Sequence, residues 1–231
     1  MELLQKYKHA FIIPIYGIIY LICFMHLEST VTLSSNFHEI HFWIDDYIPF
    51  CEYFVVPYFM WFMYITVTVG YFMVKNKEDY WNLVSFLCVG MTIFIIVSYL
   101  YPNGQYLRPT EFPRQNIFTT MVKGLYIADT PTNILPSIHV YNSIGAHIAI
   151  HKSKNLSKHK GIQYGSFLLM VSIILSTMFL KQHSVIDVIA GIGMAIFFYV
   201  VIYKAEIVKV VGKFIQEKRI NKQSAVMEWE K

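Results

Sequence analysis

The chain has 231 residues, 55% of them apolar and 17% aromatic, and only 15% carry a formal charge. Charge that sparse, set between long uncharged runs, excludes a soluble domain and points to a polytopic membrane protein. The net charge of +4 falls mostly on one side of the predicted topology, where anionic lipid explains it, so nucleic acid is not implied as a partner.

The first apolar run, about 9–27, follows a charged start and lacks a small-residue cleavage site. It reads as a retained span and not as a leader. An outer loop, 27–52, follows with five acidic residues and no Lys or Arg. Its stretch NFHEIHFWIDDYIPF fits two readings equally: a segment lying flat on the membrane beside a lipid entrance, and a solvated loop. Spans follow at about 53–74 and 83–101, the earlier one rich in aromatic residues suited to packing or interface anchoring. A second outer loop, 101–134, contains YLRPTEF with Arg108 and Pro109.

Three more spans are expected at about 135–151, 162–180 and 184–204. Backbone groups in lipid must be satisfied within their own segment, so each span is a helix. AGIGMA, 190–195, supplies small residues for close helix contact. Beyond Lys204 the chain mixes apolar and basic residues. It reads as an amphipathic helix on the inner leaflet, with a frayed polar end as an equal alternative after Gln223. Three cysteines, Cys23, Cys51 and Cys88, show no paired spacing and read as small packing residues.

Of the 19 Lys and Arg, fifteen flank the spans on one side and four (Arg108, Arg114, Lys123 and Lys181) on the other. Basic residues stay in the cytoplasm. The expected architecture is an all-α integral membrane protein, a six-helix bundle with both termini cytoplasmic. Residues 1–204 form the membrane catalytic domain and 205–231 a basic amphipathic cytoplasmic tail. The location expected is a bacterial plasma membrane, and no oligomeric state is assigned.

Residues that packing does not explain meet at the outer side. Asp187 interrupts the apolar run SVIDVIAGIGMAIFFYVV. A carboxylate within a span costs about 2.5–3.5 kcal/mol and usually has a partner. His183 stands four residues earlier, on the same expected helical face. A carboxylate on one ring nitrogen fixes the tautomer and frees the other nitrogen as nucleophile or base. In NILPSIHVY, Pro136 suits a first helical turn, and Ser137 with the free amides there forms an anion site. His139, half a turn further in, can protonate a leaving group. Arg108 offers paired donors to phosphate oxygens. Together these residues suggest phosphoryl transfer through a phosphohistidine, with the active site at the extracytoplasmic face.

This pattern resembles the type 2 phosphatidic acid phosphatase superfamily of membrane lipid phosphatases and phosphotransferases. Its three signatures match here as Tyr101, six residues, Arg108-Pro109; then Pro136-Ser137-Ile138-His139; then Ser176-Thr177, five residues, His183, three residues, Asp187. The resemblance implies that His183 attacks phosphorus, Asp187 orients it, His139 protonates the leaving oxygen, and Arg108 with Ser137 holds the phosphate. Tyr101 and Thr177 stand where that family has Lys and Arg, and Ile138 where it has Gly. Lys181 lies on the same edge and would restore one charge. LPSIHV and HSVIDVIAG look closer to the phosphodiester-using branch, which includes inositol phosphorylceramide and sphingomyelin synthases. A monoanionic diester needs fewer cations than a dianionic monoester.

Tyr101, Gln105 and Asn133 are further candidate substrate contacts. Asp129 and Asn133, just before the fourth span, fit either capping or headgroup binding, capping being preferred. No metal or cofactor is expected. His147 and His151 have ligand spacing but sit near the other end of their helix, and read as packing or interface histidines. The expected partners are membrane lipids and a lipid phosphate or phosphodiester substrate. Whether water or a lipid hydroxyl accepts the phosphoryl group stays open. The competing reading is a non-catalytic carrier or scaffold that binds lipid phosphate in a degenerate pocket. A proton-coupled transporter is disfavoured, because the ionisable residues cluster at one rim.

Overall fold

The computed structural model describes residues 11–33 and 35–229, with side chains described as far as Lys218. Lys6, Lys8 and the first two residues of the predicted first span lie outside the described residues. In chain order the helices are α1 (Ile12–Thr30), α2 (Val55–Lys75), α3 (Lys77–Leu100), α4 (Ile117–Ala128), α5 (Ile138–Lys152), α6 (Lys160–Phe179), α7 (Val185–Phe198) and α8 (Ile207–Trp229). A short 3-10 turn, Glu52–Phe54, leads into α2, and a π-helical stretch, Tyr199–Lys204, prolongs α7. Two short strands, β1 (His38–Glu39) and β2 (Asn103–Gly104), pair in parallel and tie the two predicted outer loops together.

Five helical segments are long and apolar enough to cross a membrane: Ile12–Thr30, Glu52–Lys75, Lys77–Leu100, Lys160–Phe179 and Val185–Lys204. The chain is an integral membrane protein of helical architecture. The predicted fourth span, 135–151, differs. Its helix α5 has 15 residues, about 22 Å at 1.5 Å per residue, against a hydrocarbon core of about 30 Å.

The segment before α5 is bound to other parts of the chain. The amides of Ile134 and Leu135 both donate to the Asn103 side chain at 2.9 Å, and Ser137 N donates to Asp187 O at 3.1 Å. The chain that makes these bonds is not helical: Asn133 is left-handed, φ 54°, and Ser137 is extended. Pro136 therefore precedes the N-cap, Ser137, and does not occupy the first turn.

The short helix is the centre of the bundle, packed against α2, α3, α6 and α7. Val140, Tyr141 and Ala146 are fully buried on it. The Tyr141 ring stacks on Phe86 with centroids 4.4 Å apart, and its hydroxyl donates to Phe86 O at 2.8 Å. That contact needs Gly90, where a Cβ would lie 2.0 Å from the Tyr141 ring. From AGIGMA, the close contact falls on Gly191, whose added Cβ would sit 2.8 Å from Ser137 O.

Helix α4 lies inside what reads in sequence as a loop. Asn116 caps it by accepting Thr119 N at 2.9 Å. Val122 and Leu125 pack on Val55, Tyr58 and Leu180, while Ile117 and Ile127 point outward. The first outer loop is anchored to the bundle at Asp45. Its 3-10 turn, Trp43–Asp46, buries Asp45 to 2% exposure and leaves Trp43 and Tyr47 outward. Helix α8 continues past Gln223 to Trp229, and Lys209 near its start pairs with Glu78 at 3.0 Å and Glu206 at 2.9 Å.

Candidate functional site

The site begins where α6 ends. Lys181 takes a left-handed conformation, φ 53°, and Gln182 N and His183 N both donate to Thr177 O, at 2.9 and 3.0 Å. Ser184 is the N-cap of α7, its hydroxyl oxygen accepting Ile186 N at 3.2 Å. Asp45 locks the turn from outside. It accepts the Ser184 hydroxyl at 2.5 Å and Val185 N at 2.8 Å. His183 therefore stands before the helix and not on its face, as the four-residue spacing suggests.

His183 Nδ1 lies 2.8 Å from Asp187 Oδ2, with the two side chains 7% and 0% exposed. A carboxylate accepts, so Nδ1 carries the proton and Nε2 keeps its lone pair. Asp187 is also bound through its backbone, since its carbonyl accepts Ser137 N. The nucleophile candidate and the N-terminus of α5 are thereby fixed to each other.

His139 occupies the first turn of α5. Its ring centroid is 5.6 Å from that of His183, 4.7 Å from Tyr58 and 4.5 Å from Trp61. Its Nδ1 is buried with no hydrogen-bond partner among the described residues. The Ser137 hydroxyl accepts Val140 N at 3.4 Å, a loose cap.

His139 and His183 line a small polar cavity of about 50 Å³ with Asp129, Thr130, Asn133 and Gln182. Beside it runs an apolar cavity of about 600 Å³ walled by Tyr20, Phe24, Tyr58, Trp61 and Phe62. The two share Asp129 and His139. A small void with polar groups on its wall beside a larger apolar one suits a ligand with a polar head and an apolar body.

Five predicted residues stand elsewhere, Ser137 among them, fully buried and on the wall of neither cavity. The Arg108 guanidinium donates to Tyr126 O at 3.1 Å, Asp129 O at 2.6 Å and Gln182 Oε1, and lies 4.4 Å over the Tyr126 ring. It stands behind Gln182 and Asp129 and does not line the cavity. Burial lowers its pKa, and the Asp129 charge partly opposes this. Lys181 turns away, donating to Asp45 O at 2.6 Å. Burial lowers its pKa too, against the charges of Asp45 and Asp46. Gln105 donates to Lys181 O at 2.8 Å. Tyr101 stacks on His38, 4.0 Å between centroids, and is 41% exposed. Asn133, by contrast, lines the small cavity.

Sequence reasoning gave Gln182, Tyr58 and Glu28 no part in the site and preferred a capping role for Asp129 over headgroup binding. The side chain of Asp129 caps nothing. Its Oδ2 accepts Tyr58 Oη–H at 2.9 Å and Gln182 Nε2 at 3.1 Å. Burial raises its pKa, while the Tyr58 hydrogen bond, His183 and Arg108 pull the other way. Glu28 accepts Asn133 Nδ2 at 3.0 Å and Thr130 Oγ1 at 2.5 Å. The available signal was an acidic residue closing an apolar run, and a Gln between Lys181 and His183.

The remaining histidines of α5 have local partners. His147 Nδ1 is 3.0 Å from Ser166 Oγ, and His151 Nδ1 is 3.0 Å from Gln163 Oε1. Among the described residues no group of three His, Cys, Asp or Glu is placed to hold a metal. No family model matches this chain, and no curated protein or solved structure matches it.

Proposed function

We propose that this protein is a membrane lipid phosphatase or phosphotransferase that works through a phosphohistidine at His183. The carrying observation is the buried His183–Asp187 pair, 2.8 Å apart, whose histidine lines a small cavity with a second imidazole, beside an apolar cavity that shares wall residues with it. In the first step His183 Nε2 attacks phosphorus. The bond to the leaving oxygen breaks, and His139 gives that oxygen a proton. In the second step water or a lipid hydroxyl attacks the phosphohistidine, His139 takes its proton, and Nε2 is released. Asp187 stabilises the imidazolium character that develops on His183.

The topology that accompanies this reading counts α5 as a sixth, shortened crossing. The excess of basic residues beside the opposite ends of the helices supports an orientation with both termini in the cytoplasm and the cavity at the outer leaflet. Arg108 serves by holding Gln182 and the backbone of Asp129 in place.

One observation favours a second reading. The terminal nitrogens of Arg108 and the Lys181 ammonium already donate to carbonyl and amide oxygens, as expected of a protein that binds a lipid without transforming it. Labelled lipid monoesters and diesters given to the purified protein, with and without acceptor lipids, separate the two. Release of phosphate or formation of a new phospholipid, abolished in His183→Ala, supports the enzyme. Lipid retention with no turnover supports the carrier.

A further inference from the structure

Two residues that line the small cavity each carry an oxygen to which no described residue donates. Asn133 is 4% exposed, and its Oδ1 has no partner among the described residues. Its orientation is fixed, because Nδ2 donates to the Glu28 carboxylate. Exchanging the amide atoms would set oxygen against oxygen. The second is Asp129 Oδ1, on a half-buried side chain. Tyr58 and Gln182 both donate to Oδ2, and no described residue donates to Oδ1. Asp129 and Asn133 line the same cavity as His183.

Charge points the same way. Neither cavity is lined by a Lys or an Arg. A dianionic phosphomonoester would meet Asp129 with Asp187 close behind His183, and no cation at the wall. A zwitterionic diester carries one negative charge at phosphorus and brings its own cation. A buried acceptor left without a donor, as Asn133 Oδ1 is, is unfavourable. A ligand that supplies N–H groups removes that penalty.

Resting on the phosphoryl-transfer reading above, we infer that the substrate is a phosphodiester lipid whose headgroup ends in a primary ammonium, held by Asp129 and Asn133. The ammonium donates to both orphan oxygens, and the carboxylate neutralises it. A quaternary ammonium has no N–H to give, and a polyol carries no charge. His139 lines both cavities, so it faces the oxygen on the lipid side. The bond that breaks then joins phosphorus to the diacylglycerol oxygen, which takes the proton of His139. The new bond joins phosphorus to His183 Nε2 and leaves the aminoalkyl phosphate on the histidine for transfer to a hydroxyl.

The test uses the full chain in nanodiscs with four lipids of identical acyl chains: phosphatidylethanolamine, phosphatidylcholine, phosphatidylglycerol and phosphatidic acid. Turnover of each is measured, and retention of each through detergent is read by native mass spectrometry. Phosphatidylethanolamine should exceed the others by roughly tenfold or more in kcat/KM and in retention, the effect of one charged hydrogen bond. In Asp129→Asn that ratio should fall towards unity. Equal or better use or retention of phosphatidylglycerol, phosphatidylcholine or phosphatidic acid overturns the headgroup assignment and leaves the phosphohistidine reading standing. Selective retention of phosphatidylethanolamine without turnover keeps the assignment and ends the enzymatic reading.

Discussion

Asp45 and Ser184, 139 residues apart in sequence, are joined carboxylate to hydroxyl at 2.5 Å. With Val185 N on its other oxygen, Asp45 holds the N-terminus of α7 from an element that reads in sequence as a loop. The residue it steadies is the neighbour of His183. Removing a buried helix cap typically costs about 0.5–2 kcal/mol. Asp45→Ala should lower stability by an amount of that order in thermal unfolding. It should also reduce kcat more than it raises KM, because it frees the turn that aims His183 and touches no lipid.

His139 is placed to protonate the leaving oxygen, so its loss should depend on the leaving group. His139→Asn should slow turnover of a natural lipid ester by roughly 10²–10⁴-fold, the usual range for a general acid. An ester of p-nitrophenol, which departs without a proton, should lose much less. Equal losses on both substrates would remove His139 from the acid role.

The contact between α7 and α5 admits no side chain at one position. A Cβ on Gly191 would meet Ser137 O at 2.8 Å and Val140 Cβ at 3.2 Å. Gly191→Ala should destabilise by about 1–3 kcal/mol through overpacking. It should disturb the His139 turn as well, since Ser137 caps that helix. Gly193→Ala, where a Cβ meets nothing within 4 Å, should leave the unfolding temperature close to that of the wild type.

Asp129 gives stability a pH dependence. Burial raises its pKa in the folded protein, whereas the unfolded chain has an ordinary carboxyl near about 3.9. The folded state therefore binds more protons. Stability should fall as pH rises from that ordinary value through the raised one. Asp129→Asn should flatten that portion of the profile. A lipid carrying an ammonium stabilises the ionised form, so its addition should also flatten it. Unfolding temperatures in detergent across pH, with and without phosphatidylethanolamine, provide the measurement.

Much of the helical framework is legible in the sequence, because apolar runs of sufficient length in lipid have few alternatives to a helix. The proximity of His183, Asp187 and His139 is legible too, since their motifs fall at neighbouring ends of predicted spans. What is not legible depends on backbone detail. The left-handed turn at Lys181 accompanies a side chain bound to Asp45 instead of the cavity. Helix α5 begins only after Ser137, and the amides of Ile134 and Leu135 before it are bound to Asn103, a partner 31 and 32 residues away that no local pattern announces. Asp129 looks like a helix cap by position, because its carboxylate meets Tyr58 and Gln182 only once α2 and the turn before α7 have packed. Helix α4 is hidden because its apolar residues face both inward and outward.

The most direct measurement is rapid quenching of the purified protein with a phosphorus-labelled lipid diester, followed by peptide mass spectrometry under alkaline conditions. The expected result is an acid-labile phosphoryl adduct on the peptide containing His183, formed faster than product appears and absent from His183→Ala. Turnover at the wild-type rate in His183→Ala, or an adduct carried by any other residue, would contradict it.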